Sequence, residues 1–205
     1  MLFRSQFAVK ELSTAMSNPG TIDMAKMKRL ARYLLKVPRC VVKFDYQSKV
    51  EQLVAWSDSD FAGCVKSRKS TSGGIILFGG CPIKTYCSQQ AVRALSSGEA
   101  EYYAMVKAAS VAIGIRSMLM DLGVQEGKIV LKTDASAALG IAHRLGIGKI
   151  RHIEVNQLWL QEKVYKGEII VEDQDGREFG RRPDKASVKR GHNQARAGNG
   201  LRPAT

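Results

Sequence analysis

Residues 51–63 read EQLVAWSDSDFAG. A short apolar run ends in Asp58 and Asp60, and a loop containing Gly63 follows. The pattern predicts a strand that terminates in acid. Strand residues i and i+2 point to the same side, so both carboxylates start on one face.

Outward from this stretch, GGIILFGG (73–80) and CPIKTYCSQ (81–89) predict two more strands joined by a Gly-Gly-Cys-Pro turn. A long helix is expected from about Ser97 to Leu122. Its stripe of Ala100, Ala104, Ala108, Val111, Ile115, Met118 and Leu122 recurs at steps of three and four, and Gly123 ends it. KIVLKTD (128–134) reads as a buried strand and ASAALGIAHR (135–144) as the helix behind it. IRHIEVNQLWLQEKVYKG (150–167) reads as an amphipathic helix with Ile153, Leu158, Trp159 and Val164 among its apolar residues, and EIIVED (168–173) as a last strand. Three leading strands predict an antiparallel meander. Later strands that alternate with helices predict parallel additions to the same α/β sheet.

The carboxylates carry the chemical interest. Asp134 closes a buried strand and opens a helix, where sites gather in parallel sheets. A helix cap for Asp134 and a turn role for Asp60 are the plain alternatives. Glu99 and Glu101 open the long helix and point about 200° apart, so they cannot serve one site together. Ser96 and Glu99 have capping-box spacing, which assigns Glu99 to the helix end and leaves Glu101 for chemistry. Asp58, Glu101 and Asp134, from three elements, either converge on hard divalent cations such as Mg²⁺ or are scattered surface acids.

The 205-residue chain carries a net charge of +13, unevenly spread. Residues 1–49 hold 10 basic and 3 acidic side chains, residues 50–176 hold 14 of each, and residues 177–205 hold 8 and 2. The centre is therefore neutral and the flanks are basic, which weakens a reading as a general nucleic-acid binder. TIDMAKMKRLARYLLKV (21–37) predicts a basic amphipathic helix with Met24, Met27, Leu30, Leu34 and Leu35 on its apolar side. Cys40, Cys64, Cys81 and Cys87 lack zinc-site spacing and read as reduced intracellular thiols. No membrane-spanning run and no signal-peptide pattern is expected.

WSDSDFAG, RKSTSGG, SSGEAEYYA, LKTDASAALGIA and IRHIEVNQLWLQEKV occur in that order over about residues 50–172. Together they closely resemble the RNase H domain of copia-type LTR-retrotransposon Pol polyproteins. QFAVKELSTAMSNPGTIDMAKMKRLARYLLK (6–36) resembles the segment that joins reverse transcriptase to RNase H in those proteins. The resemblance implies an RNase H-like fold with a mixed five-stranded sheet flanked by helices. It implies Mg²⁺-dependent hydrolysis of the RNA strand of RNA–DNA hybrids, with two ions. By motif, Asp58, Glu101 and Asp134 match catalytic, metal-binding carboxylates. Arg68, Lys69, Ser70 and Thr71 fall in a loop that either touches substrate phosphate or is merely solvated. His152 fits the pattern without an assigned role, and a helix-surface histidine is its plain reading.

The departure lies at the family's fourth carboxylate, in a final helix reading like N-L-A-D-A-L-T-K. Here the chain reads FGRRPDKA (179–186). That peptide can be encoded as TTT GGC CGA CGC CCT GAC AAA GCA. Read one nucleotide later, the same bases give L-A-D-A-L-T-K, with the aspartate codon straddling Arg181 and Arg182. Asp184 follows Pro183 in a run with no helical pattern and is a poor substitute. The expected organisation is a joining segment over 1–48, an RNase H-like domain over 49–176, and a basic, disordered, out-of-frame tail over 177–205. The expected function is RNase H activity in an impaired copy, or alternatively a non-catalytic nucleic-acid-binding fragment. Expected partners are an RNA–DNA hybrid and the polymerase portion of Pol, without a membrane, inside the cell.

Overall fold

The computed structural model describes residues 2–39, 41–47, 50–124, 127–146, 148, 152–153 and 157–176. Helices α1 (Leu2–Ser13) and α2 (Thr21–Lys36) precede strands β1 (Gln52–Asp60), β2 (Thr71–Phe78) and β3 (Cys81–Gln89). Helix α3 (Ser97–Asp121), strand β4 (Lys128–Thr133), helices α4 (Ser136–Ala142) and α5 (Trp159–Tyr165) and strand β5 (Ile169–Asp173) follow. The sheet order is β3-β2-β1-β4-β5. The pairs β1–β2 and β2–β3 are antiparallel, while β1–β4 and β4–β5 are parallel. A two-residue turn joins β2 to β3 and the loop 61–70 joins β1 to β2, whereas each parallel neighbour needs a crossover, supplied here by helices. This is the mixed sheet that the sequence pattern and the resemblance imply.

One sheet face presents Leu53, Ala55, Ile76, Ile129, Leu131, Ile169 and Val171, all buried. Helix α3 lies across it on Ala100, Ala104, Ala108 and Ala112, each 0% exposed. Small side chains let the helix approach the strands closely, and the branched strand residues fill the space between. By length and composition α3 is also the one helix among the described residues that could cross a membrane. Its buried side chains, Tyr102, Met105 and the alanines among them, belong instead to the core of this fold. On the other face Lys132 pairs with Glu172 at 3.3 Å and lies 5.4 Å from the Trp56 ring centre.

The helix expected over 150–167 is shorter. His152 and Ile153 form a turn, with Ile153 buried, and α5 begins only at Trp159. His152 is therefore not a helix-surface residue. The out-of-frame tail and its expected disorder concern residues outside those described.

Helix α1, which periodicity did not single out, packs on β3. Gln6 Nε2 donates to Thr85 Oγ1 at 2.5 Å. Lys10 Nζ donates to Thr71 Oγ1 at 2.8 Å and pairs with Glu11 at 2.6 Å, with its side chain only 9% exposed. Helix α2 buries none of its residues and leaves Met24, Met27, Leu34 and Leu35 exposed. Helices held by few buried contacts open locally. Amide hydrogen exchange is therefore expected to be faster across 22–36 than across 100–112; equal protection would show that α2 is held as firmly as the core.

Candidate metal centre

Strand register places the first two carboxylates. In the parallel β1–β4 pair, Trp56 lies beside Lys132. The same register continued by two residues sets Asp58 beside Asp134, one position past the end of β4. The serines and aspartates of WSDSD alternate: Ser57 is buried beneath α3, and Ser59 lies on the same side. Ser59 meets the third carboxylate there, its N–H and hydroxyl donating to Glu101 Oε1 at 3.2 and 3.0 Å. One ligand oxygen each from Asp58, Glu101 and Asp134 then lies within 4.8 Å of the others. The sequence gives no direct view of this register, but the strand alternation alone points Ser59 toward α3.

The electrostatics follow from this crowding. Burial and the charges of Asp134 and Asp60 push the Asp58 carboxyl above its ordinary range, against a backbone hydrogen bond at Ser59. Glu101 is pushed up to about 7, first by burial and then by Asp58 and Asp134, although its Ser59 bonds oppose the shift. Its second oxygen, Oε2, is buried with no hydrogen-bond partner. Three like charges and an orphaned acceptor are costly alone and are relieved by a hard cation. The three residues could therefore hold a metal ion, with Asp58 and Asp134 exposed and Glu101 half-buried.

Other residues of the motifs have structural roles. Asp60 accepts a hydrogen bond from the Thr71 N–H and so closes the loop behind β1. Ser70 and Thr71 are buried: Ser70 Oγ accepts from Ala62 N at 3.0 Å, and Thr71 receives Lys10. Arg68 is exposed and Lys69 half-buried. Ser96 caps α3, its Oγ accepting from Glu99 N at 3.2 Å. Glu99 returns to the N–H of Leu95 at 2.9 Å rather than to Ser96, and it also engages Tyr103 and His152.

Gly98 brings the start of α3 against α4. A Cβ at this position would lie 2.7 Å from the Cβ of Ala137, so one of the two backbones would have to move. Gly98→Ala is expected to cost about 1–3 kcal/mol through overpacking and to weaken metal binding by parting Glu101 from Asp134. Ala137→Gly in the same chain should restore both. Calorimetric melting and a Mn²⁺ titration of the single and double variants check this; a double variant no better than Gly98→Ala would rule the contact out as the cause.

A mixed sheet in this order, with three carboxylates gathered where β1 and β4 end, defines an RNase H-like domain. No family model matches the sequence. The Pol polyprotein of tobacco transposon TNT 1-94 is 28% identical over 158 residues, which is 77% of this chain and 12% of that protein. The Pol polyprotein of Arabidopsis thaliana transposon RE1 is 28% identical over 167 residues, 80% of this chain and 11% of that protein. Secreted RxLR effector protein 161 of Plasmopara viticola is 38% identical over 107 residues, 52% of this chain and 74% of that protein. Among solved structures, LC11-RNase H1 from a compost metagenome superposes with a TM-score of 0.40 at 13% identity, covering 68% of this chain and 91% of that one. Its homologues are retrovirus-related Pol polyproteins of plant transposons, and the chain spans about a tenth of the length of those proteins.

Proposed function

We propose that the chain is the RNase H-type segment of a retrotransposon Pol polyprotein, acting on the RNA strand of RNA–DNA hybrids with Mg²⁺ held by Asp58, Glu101 and Asp134. The observation that carries this reading is that one oxygen each of the three carboxylates lies within 4.8 Å of the others, while Glu101 keeps Oε2 buried without a hydrogen-bond partner. Ser59 fixes the other Glu101 oxygen, so the carboxylate is aimed before any ion arrives. When bound, the ions would supply an acidified water and neutralise charge on the phosphodiester. Arg68 and Lys69, in the loop ahead of β2, would meet backbone phosphate, and the 2′-hydroxyl would distinguish RNA from DNA. The setting is intracellular, with the polymerase portion of Pol as natural partner in the intact element.

This copy is impaired. It reads FGRRPDKA over 179–186 in place of the family's last carboxylate motif, a peptide that can be encoded so that the neighbouring frame reads L-A-D-A-L-T-K. Without that carboxylate the chain has one hard oxygen ligand fewer for its cations. A second reading, a non-catalytic nucleic-acid-binding fragment, would put the binding in the basic flanks and not in the neutral centre. Incubation of the chain and of Asp134→Asn with a hybrid labelled on its RNA strand tests both. Slow Mg²⁺-dependent cutting that disappears in the variant supports the enzyme reading. Binding without any cutting, in this chain and after the frame is restored, supports the second.

A further inference from the structure

Glu99 is a carboxylate only 1% exposed, two positions before a metal-site residue and outside the three-carboxylate cluster. Its position on α3 turns it about 200° away from Glu101. Its oxygens are fully engaged elsewhere. Oε1 accepts from the Tyr103 hydroxyl at 2.7 Å, and Oε2 accepts from Leu95 N at 2.9 Å and meets His152 Nε2 at 2.7 Å. Tyr103 and Leu95 flank Glu99 in the same stretch of chain. His152 comes from the segment that leaves α4, well downstream of Asp134.

We infer that His152 is a positioning residue for the metal centre, locking the first turn of α3 through Glu99 so that Glu101 stays in register with Asp134. The inference rests on the reading of the three carboxylates as a metal site. The start of α3 is tied on three sides: Ser59 joins it to β1, the Gly98–Ala137 approach joins it to α4, and the Glu99–His152 pair joins it to the segment beyond α4. Between them these ties set Glu101 relative to both Asp58 and Asp134. Metal ligands need placement within about 0.5 Å, which packing and outer hydrogen bonds supply. Loss of the His152 tie leaves Glu99 bonded only to its own helix and to Leu95, and the turn that carries Glu101 gains freedom toward α4. The His152 side chain is 44% exposed, so its removal sacrifices little packing.

The test is a Mn²⁺ titration of the full chain, His152→Ala and His152→Gln, with thermal melts alongside. His152→Ala should bind Mn²⁺ about tenfold more weakly with little change in Tm. His152→Gln, whose Nε2 can still donate to Glu99, should bind within about threefold of the unsubstituted chain, far closer to it than His152→Ala. Unchanged affinity in His152→Ala overturns the inference and leaves the site reading standing. Equal weakening in both variants overturns it as well, because the hydrogen bond would not be the cause. Absence of saturable Mn²⁺ binding in the unsubstituted chain overturns the site reading itself, and the inference falls with it.

Discussion

Glu101→Gln is expected to abolish hybrid cleavage and metal binding while making the metal-free protein more stable at alkaline pH. Burial and two neighbouring carboxylates raise the Glu101 pKa from 4.5 to about 7, so the folded state holds the proton more tightly than the unfolded chain does. The favourable contribution of the protonated group is therefore complete below the unfolded value and is lost as pH rises through about 7. At about pH 8 the ionised, half-buried carboxylate burdens the fold. A neutral amide keeps the Ser59 contacts and removes that burden. After allowance for solvent screening the gain is about 1 kcal/mol, or about 2–4 °C in Tm for a domain of this size. It should vanish near pH 4, where the native side chain is protonated too. Removal of a ligand that three other contacts are arranged to hold should cut cleavage by at least about a hundredfold. Melting curves in chelator at the two pH values, with cleavage assays beside them, check both parts. A variant that melts lower than the unsubstituted chain at pH 8 would mean that Glu101 stabilises the fold and is not held there for an ion.

The second large effect lies at the other end of the chain. A protein whose frame is restored after Glu178, so that it reads L-A-D-A-L-T-K, is expected to cleave hybrid about a hundredfold faster than this chain, equivalent to roughly 3 kcal/mol of transition-state stabilisation. The restored aspartate would add a fourth hard oxygen ligand, and the shift in frame would remove Arg181 and Arg182 together. Both changes favour cation binding. Hybrid affinity should change far less, since the basic residues up to Arg177, which are most of those in the chain, are shared. The genomic DNA decides the first half of this prediction: bases that do not encode the motif in the neighbouring frame end the frameshift idea. Equal rates for the two proteins would end the claim of impairment even if the frameshift is real.

What the sequence made legible divides along physical lines. Alternation and helical spacing are local, so β1 to β5 and the Ala stripe of α3 were readable in order and kind. The assignment of Glu101 over Glu99 was also local, because two helix positions cannot face one site and Ser96 claims the nearer one. Register is not local. Nothing in WSDSD or LKTD states that Trp56 pairs with Lys132, and that pairing is what sets Asp58 beside Asp134. The role of His152 was illegible for the same reason, because its partner lies 53 residues earlier. The turn at His152 and Ile153 departs from helical spacing because one side chain is drawn to Glu99 and the next is buried in the core. Helix α1 escaped notice because its meaning depends on Thr71 and Thr85, which receive Lys10 and Gln6 across the sheet.

The central claim is that Asp58, Glu101 and Asp134 are one metal centre. A Mn²⁺ titration followed by electron paramagnetic resonance, on this chain and on a variant carrying Asp58→Asn, Glu101→Gln and Asp134→Asn together, tests it most directly. Saturable binding in the unsubstituted chain that disappears in the folded triple variant is the expected result. Binding of the same stoichiometry and affinity in both proteins, or in neither, would contradict the claim.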